Sequence, residues 1–100
     1  MLHFTPLDRL LDAQRRPTFL WDCDVTLEQF RANLEHSERD VRAYWIAKLM
    51  RQAKPDDVFQ FVTRATIEDH WDALVRHLGT SREFWTWLLA AWREAERVAG

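Results

Sequence analysis

FLWDCDVTL, Phe19 to Leu27, is the stretch on which the fold turns. An apolar run followed by Asp-x-Asp-x-Thr can be a buried strand whose end presents two carboxylates. It can equally be an extended segment that turns and enters a helix. A strand needs a partner strand, so the rest of the chain decides. From Leu27 onward apolar residues recur at three- and four-residue spacing, the period of a helix face. No second run alternates or clusters as a buried strand would. The stretch is therefore expected to be an aromatic anchor, Phe19-Leu20-Trp21, laid across a helical bundle. Asp22 and Asp24 make Asx-type turns, and Thr26 caps the next helix.

Helix starts are marked repeatedly. Ser or Thr is followed three positions later by Asp, Glu or Gln, just ahead of an apolar periodic run, at Thr5/Asp8, Thr26/Gln29, Ser37/Asp40, Thr66/Asp69 and Thr80/Glu83. A hydroxyl at the cap accepts from the third helical N–H, and a Glu or Gln there reaches back to the cap. These marks predict about six helices. They run over Pro6 to Arg15, Leu27 to Glu35, Glu38 to Ala53, Pro55 to Val62, Ile67 to Leu78 and Ser81 to Val98, with Gly79 as a left-handed stop. The fold class is all-α: a compact bundle of short helices carrying an extended N-terminal aromatic segment. Helical spacing nominates a core of Val41, Tyr44, Trp45 and Leu49, then Ile67, Trp71, Leu74, Val75 and Leu78, then Phe84, Trp85, Leu88, Leu89 and Trp92. Val58, Phe59, Phe61 and Val62 are too dense for a one-faced helix, so that segment is buried on two sides or turns one face to a partner. Trp87 lies off the last helix's main stripe and is the first candidate for an exposed aromatic.

Composition supports this. With 47% apolar residues, 13% aromatics, two Gly and three Pro, the chain is neither disordered nor turn-rich. One hundred residues suit one domain, expected over residues 1–100. A net charge of −2 without a block of like charge gives no electrostatic footprint for nucleic acid. The lone Cys23 allows no internal disulfide or thiolate zinc site and suits a reducing compartment. The N-terminal residues lack the pattern of a signal peptide, and no apolar run approaches a membrane span. A cytoplasmic location without membrane contact is expected.

The Asp22-x-Asp24 pattern resembles the nucleophile loop of the haloacid-dehalogenase phosphatases, where two carboxylates hold Mg²⁺ and attack phosphate. That loop needs a parallel sheet, further catalytic elements on later strands, and usually a Gly after the second Asp. None of these is present here. His70 and His77 share a helix face two turns apart, farther than the i, i+4 spacing zinc favours. Cys23 has no Gly-rich oxyanion turn to serve a nucleophile. Residues 56–78 could mimic helix-turn-helix, but Glu68, Asp69 and Asp72 would meet phosphates with the wrong sign. Arg15, Arg16, Arg39, Arg42, Arg93 and Arg97 are expected on solvated faces. No catalytic residue, metal ligand or cofactor is assigned, and the chain is expected not to be an enzyme.

Three segments carry a family resemblance: Phe19-Leu20-Trp21-Asp22-x-Asp24, RQAKPDDVFQF (Arg51 to Phe61) and Ser81-Arg82-Glu83-Phe84-Trp85. Together they resemble a group of short, mostly uncharacterised bacterial proteins found beside abortive-infection (AbiEii-type) nucleotidyltransferase toxins. Leu20-Trp21 replaces that group's Phe-Trp order, and Lys54-Pro55 stands where it has Gly. The resemblance implies an antitoxin-like or accessory protein that binds a nucleotidyltransferase-type toxin. Trp and Arg dominate binding hot spots. Trp21, Phe61 and Trp87 are accordingly the candidate partner-binding anchors, with Arg93 and Arg97 at the rim. A small nucleic-acid-binding regulator is the alternative, and self-association is open.

Overall fold

The computed structural model describes residues 2–99. Among them, seven α-helices and two 3₁₀ turns succeed one another. The one β-bridge, Leu11 to Pro17, stands alone. The all-α expectation holds, and FLWDCDVTL is an extended, turning segment.

Helix α1 (Leu7–Leu10) is much shorter than the expected Pro6 to Arg15. Asp12 ends it. Its Oδ1 accepts from the N–H groups of Gln14 (2.9 Å) and Arg16 (2.8 Å), which reverses the chain. Arg15 takes a left-handed φ of 62° in that turn, and its carbonyl accepts from Leu27 N–H at 2.8 Å. The predicted Thr5 cap does not form, because the Thr5 hydroxyl donates to Asp57 instead.

Helix α2 (Leu27–Leu34) begins as expected. Thr26 Oγ1 accepts from Gln29 N–H, and Gln29 Oε1 accepts from Thr26 N–H, so both arms of the capping box are closed. Helix α3 (Arg39–Gln52) starts without the predicted Ser37 cap. There Arg42 donates to the carbonyls of His36 (2.7 Å) and Ser37 (3.2 Å). Helix α3 is the hub: α2, α4, α6 and both 3₁₀ turns pack on it. Ile46, Ala47, Lys48, Leu49 and Met50 are consecutively buried. A helix covered on several sides has no single stripe, which is why spacing alone missed Ile46 and Met50. Tyr44, expected in the core, is 43% exposed.

Helix α4 (Pro55–Val58) gives way to a turn before the expected end at Val62. Val58 and Val62 are buried, while Phe59 and Phe61 pack half-buried on different parts of the core. This is the two-sided burial that their density foretold. Helices α5 (Arg64–Asp69) and α6 (Trp71–Leu74) replace the single fifth helix. The cap is Thr63, not Thr66, and accepts from Thr66 N–H. The break at His70 has a specific cause. Arg39 Nη2 donates to the Asp69 carbonyl at 2.6 Å, and Ala73 N–H, whose helical partner that carbonyl would be, donates to the His70 carbonyl alongside Leu74 N–H. Val75–His77 and Gly79–Ser81 are the 3₁₀ turns, with Gly79 at φ 56° as expected for a left-handed stop.

Helix α7 (Arg82–Ala99) buries Trp85 and Leu89 and half-buries Leu88 and Trp92. Phe84, expected in the core, is more than a third exposed. Residues 93–99 are all exposed. The helix therefore projects beyond the core, and the radius of gyration is 14.0 Å, against about 13 Å for a compact chain of this length.

Two aromatic clusters fill the interior. Phe19, Phe30 and Phe61 meet edge to face at 5.3–5.9 Å, with Trp45 against Phe30. Phe59 packs on Trp85 and Trp92. Trp85 is fully buried, and its indole N–H donates to the Met50 carbonyl at 3.0 Å.

Near the N-terminus an extended strap is pinned by α4. Thr5 N–H and hydroxyl donate to the buried Asp57 carboxylate, and His3 N–H donates to Asp56. Burial pushes the Asp57 carboxyl up, but the Thr5 and Gln60 donors outweigh it and leave it below the ordinary value. A carboxyl lowered on folding stabilises fully above its unfolded value, about 4, and that stability is lost as pH falls through the lower folded value. Asp57→Asn is expected to flatten this acid limb, read as the difference in urea midpoint between pH 7 and pH 3. Trp85→Ala is expected to cost about 3–5 kcal/mol by urea unfolding, because it empties a large buried volume. A loss near 1 kcal/mol would show that Trp85 does not anchor α7.

Candidate functional site

The FLWDCDVTL turn is built so that its neighbours sink and Trp21 stands out. Phe19 and Leu20 are buried, while Trp21 is 78% exposed. Leu20 N–H donates to the Pro17 carbonyl (3.0 Å) and Cys23 N–H to the Leu20 carbonyl (3.2 Å), closing one tight turn ahead of Trp21 and a second with Trp21 at its corner. Helix α3 holds both shoulders. Gln52 Nε2 donates to the Phe19 carbonyl (2.7 Å) and to Asp22 Oδ1 (3.2 Å), and Lys48 Nζ donates to Asp22 Oδ2 at 2.6 Å. Lys48 is itself buried. Its hydrogen bond, followed by that of Gln52, holds the Asp22 carboxyl below the usual carboxylate range.

Both aspartates therefore serve ion pairs, not the Asx turns expected of them. Asp24 Oδ1 accepts from Arg16 Nη1 at 3.1 Å, and the Asx-type turn belongs to Asp12. Cys23 lies half-buried beside them, and burial pushes its thiol up, the opposite of what a thiolate nucleophile needs. Among the described residues, no group of three or more His, Cys, Asp or Glu is placed to hold a metal ion. His70 is engaged by Arg42 and by the Thr66 carbonyl, and His77 lies edge-on to Tyr44.

The expected partner-binding residues separate into different places. Phe61 is half-buried, with its ring edge against Phe19 and Phe30 and the Arg31 guanidinium over it. Trp87 is 63% exposed, with the Phe84 ring 6.2 Å away. Arg97 pairs with Glu94 on α7. Arg93 sits roughly 120° round the helix axis from Trp87 and does not rim it. The arginines expected on solvated faces are mostly tied to carboxylates: Arg15 to Glu28, Arg16 to Asp12 and Asp24, and Arg39 to Asp72.

Sequence reasoning missed the clamp itself. Lys48 and Gln52 bear on Trp21 only because α3 passes under the turn, and nothing local to residues 19–27 signals it. It also missed the exposed Tyr44 and Phe84. Among the described residues, no helix is long and apolar enough to cross a membrane. In comparisons with known proteins, no family model, curated protein or solved structure matches the chain.

The half-buried Cys23 thiol reports opening of the turn. Gln52→Ala removes two of the clamp's hydrogen bonds and is expected to raise the rate of Cys23 modification by a disulfide reagent at pH 7 roughly tenfold, through easier local opening. An unchanged rate would show that the turn holds without Gln52.

Proposed function

We propose that this chain is a non-enzymatic protein–protein interaction module, antitoxin-like or accessory, whose partner is a nucleotidyltransferase-type toxin. The observation that carries the interaction reading is Trp21, a large side chain offered to solvent from a turn locked on both shoulders. Ordering a flexible side chain or loop weakens association, and a pre-fixed Trp avoids that loss. Trp is also the residue most enriched at hot spots. The resemblance at residues 19–24, 51–61 and 81–85 supports the partner's class, and two of those segments contain or clamp the Trp21 turn. The pairing of Asp22 with Lys48 and of Asp24 with Arg16 supports a positioning role for these carboxylates.

The test is affinity capture of the tagged chain from its native host. The expected result is recovery of a nucleotidyltransferase-type toxin, reduced at least about tenfold by Trp21→Ala. Recovery of no such protein would remove the partner assignment, and equal recovery with Trp21→Ala would remove Trp21 as the anchor. The nucleic-acid alternative predicts binding to duplex DNA that weakens steeply with salt. No binding at about 50 mM salt would dispose of it.

A further inference from the structure

Helix α7 is apolar over more of its circumference than the core covers. Trp85, Leu88, Leu89 and Trp92 face inward. A second stripe, Phe84, Trp87, Ala91, Ala95 and Val98, follows three- and four-residue spacing on an adjoining face. Trp87 and Val98 are largely exposed, and Phe84 is partly so. We infer that this stripe is the interface of a two-fold homodimer in which α7 packs antiparallel against α7 of a second copy.

The occupant follows from the order of residues along the stripe. A two-fold contact must be self-complementary, residue i meeting j and j meeting i. With the axis at Ala91, Phe84 of each copy faces Val98 of the other and Trp87 faces Ala95. Large side chains then meet small ones in both halves, and Ala91 at the crossing lets the helices approach closely. A parallel pair would set Trp87 on Trp87 and alanine on alanine.

Charge selects the same arrangement. Glu83 and Arg97 lie on one flank of the stripe at opposite ends of it. Antiparallel packing brings Glu83 of one copy within a helical turn of Arg97 of the other on a shared flank, twice over, whereas a parallel two-fold pair sets these flanks on opposite sides of the seam and forms no such contact. Among the described residues, Arg97 is held in the monomer by Glu94 alone, and both side chains are well exposed (73% and 59%), so that contact is weak enough to yield. Arg64 steadies the protruding helix. It pairs with Glu68 of its own helix and with Glu96 of α7, and its guanidinium lies 5.5 Å from the Trp92 ring centre. These contacts join the C-terminal half of α7 to α5.

Size sets the strength. At 1.5 Å per residue, 18 residues span about 27 Å. A single helix pair of that length falls at the low end of specific interfaces, so the dimer is expected to dissociate in the micromolar range.

This inference is independent of the toxin assignment, because Trp21 lies outside the stripe. Sedimentation velocity of the purified chain over about 1–500 µM is expected to show a monomer–dimer equilibrium. Trp87→Glu, at an exposed position that the fold does not need, is expected to weaken the dimer at least about 30-fold. Glu83→Arg and Arg97→Glu are each expected to weaken it several-fold, and the double swap to restore it. Trp21→Ala is expected to leave it unchanged. A monomer throughout that range, dimerisation indifferent to Trp87→Glu, or a double swap no better than either single change would each overturn the proposal. So would a chain that stays monomeric yet loses toxin capture with Trp87→Glu, which would assign the stripe to that partner.

Discussion

A buried ammonium at the centre of the hub helix governs the rest. Lys48 sits in the run Ile46–Met50, which is buried throughout, and a buried charge is tolerated only when paired and hydrogen-bonded. The carboxylate that answers it, Asp22, comes from the turn ahead of α2. That requirement ties the N-terminal segment to α3. With Asp22 held inward on one side and Phe19 and Leu20 sunk in the core on the other, Trp21 has only the outward direction left. Exposure of Trp21 is therefore a consequence of the clamp, not of a loose loop.

The same logic recurs wherever the elements are too short to stand alone. Four-residue helices such as α1, α4 and α6 fall far below the length at which a helix is stable by itself. Here side chains reaching across the chain fix the segments between them: Asp12 reverses the chain after α1, Asp57 holds the strap, Arg39 opens the ladder between α5 and α6, and Arg64 spans from α5 to α7. Among the described residues, no buried side-chain nitrogen or oxygen lacks a partner. This fold is specified by polar clamps over an aromatic core as much as by helix propensity.

That division explains what the sequence made legible. Features set by near neighbours were readable: the Thr26/Gln29 box, the Gly79 stop, the extent of α7 and the exposure of Trp87. Features set by distant partners were not. Thr5, Ser37 and Thr66 carry the local signature of caps. Thr5 is taken by Asp57, Arg42 claims the carbonyls ahead of α3, and Thr63 caps α5 one turn before Thr66. The first helix is shorter than its pattern for a local reason: Asp12 binds the Gln14 and Arg16 N–H groups and reverses the chain, and helical spacing does not distinguish such an Asp from one on a helix surface. For the site, the sequence pointed to Trp21 and Trp87 but placed Trp21 across the bundle, since the Lys48–Asp22 pair that aims it outward joins residues 26 positions apart.

The two exposed tryptophans are mounted differently, and the mounting suits different partners. Trp21 is a single knob on a rigid turn, a shape that fits a pocket on another surface and brings little apolar area beyond its own ring. Trp87 belongs to a stripe along a straight helix, a shape that fits a second helix. If both proposals hold, the α7 dimer would carry two Trp21 turns in a fixed relation. A partner with two matching pockets would meet the second turn at a high effective concentration, gaining affinity without a new contact, provided the spacing allows both to engage. A partner with one pocket would gain nothing. Weak self-association through α7 would thus let the chain discriminate between oligomeric and monomeric partners, which neither tryptophan achieves alone.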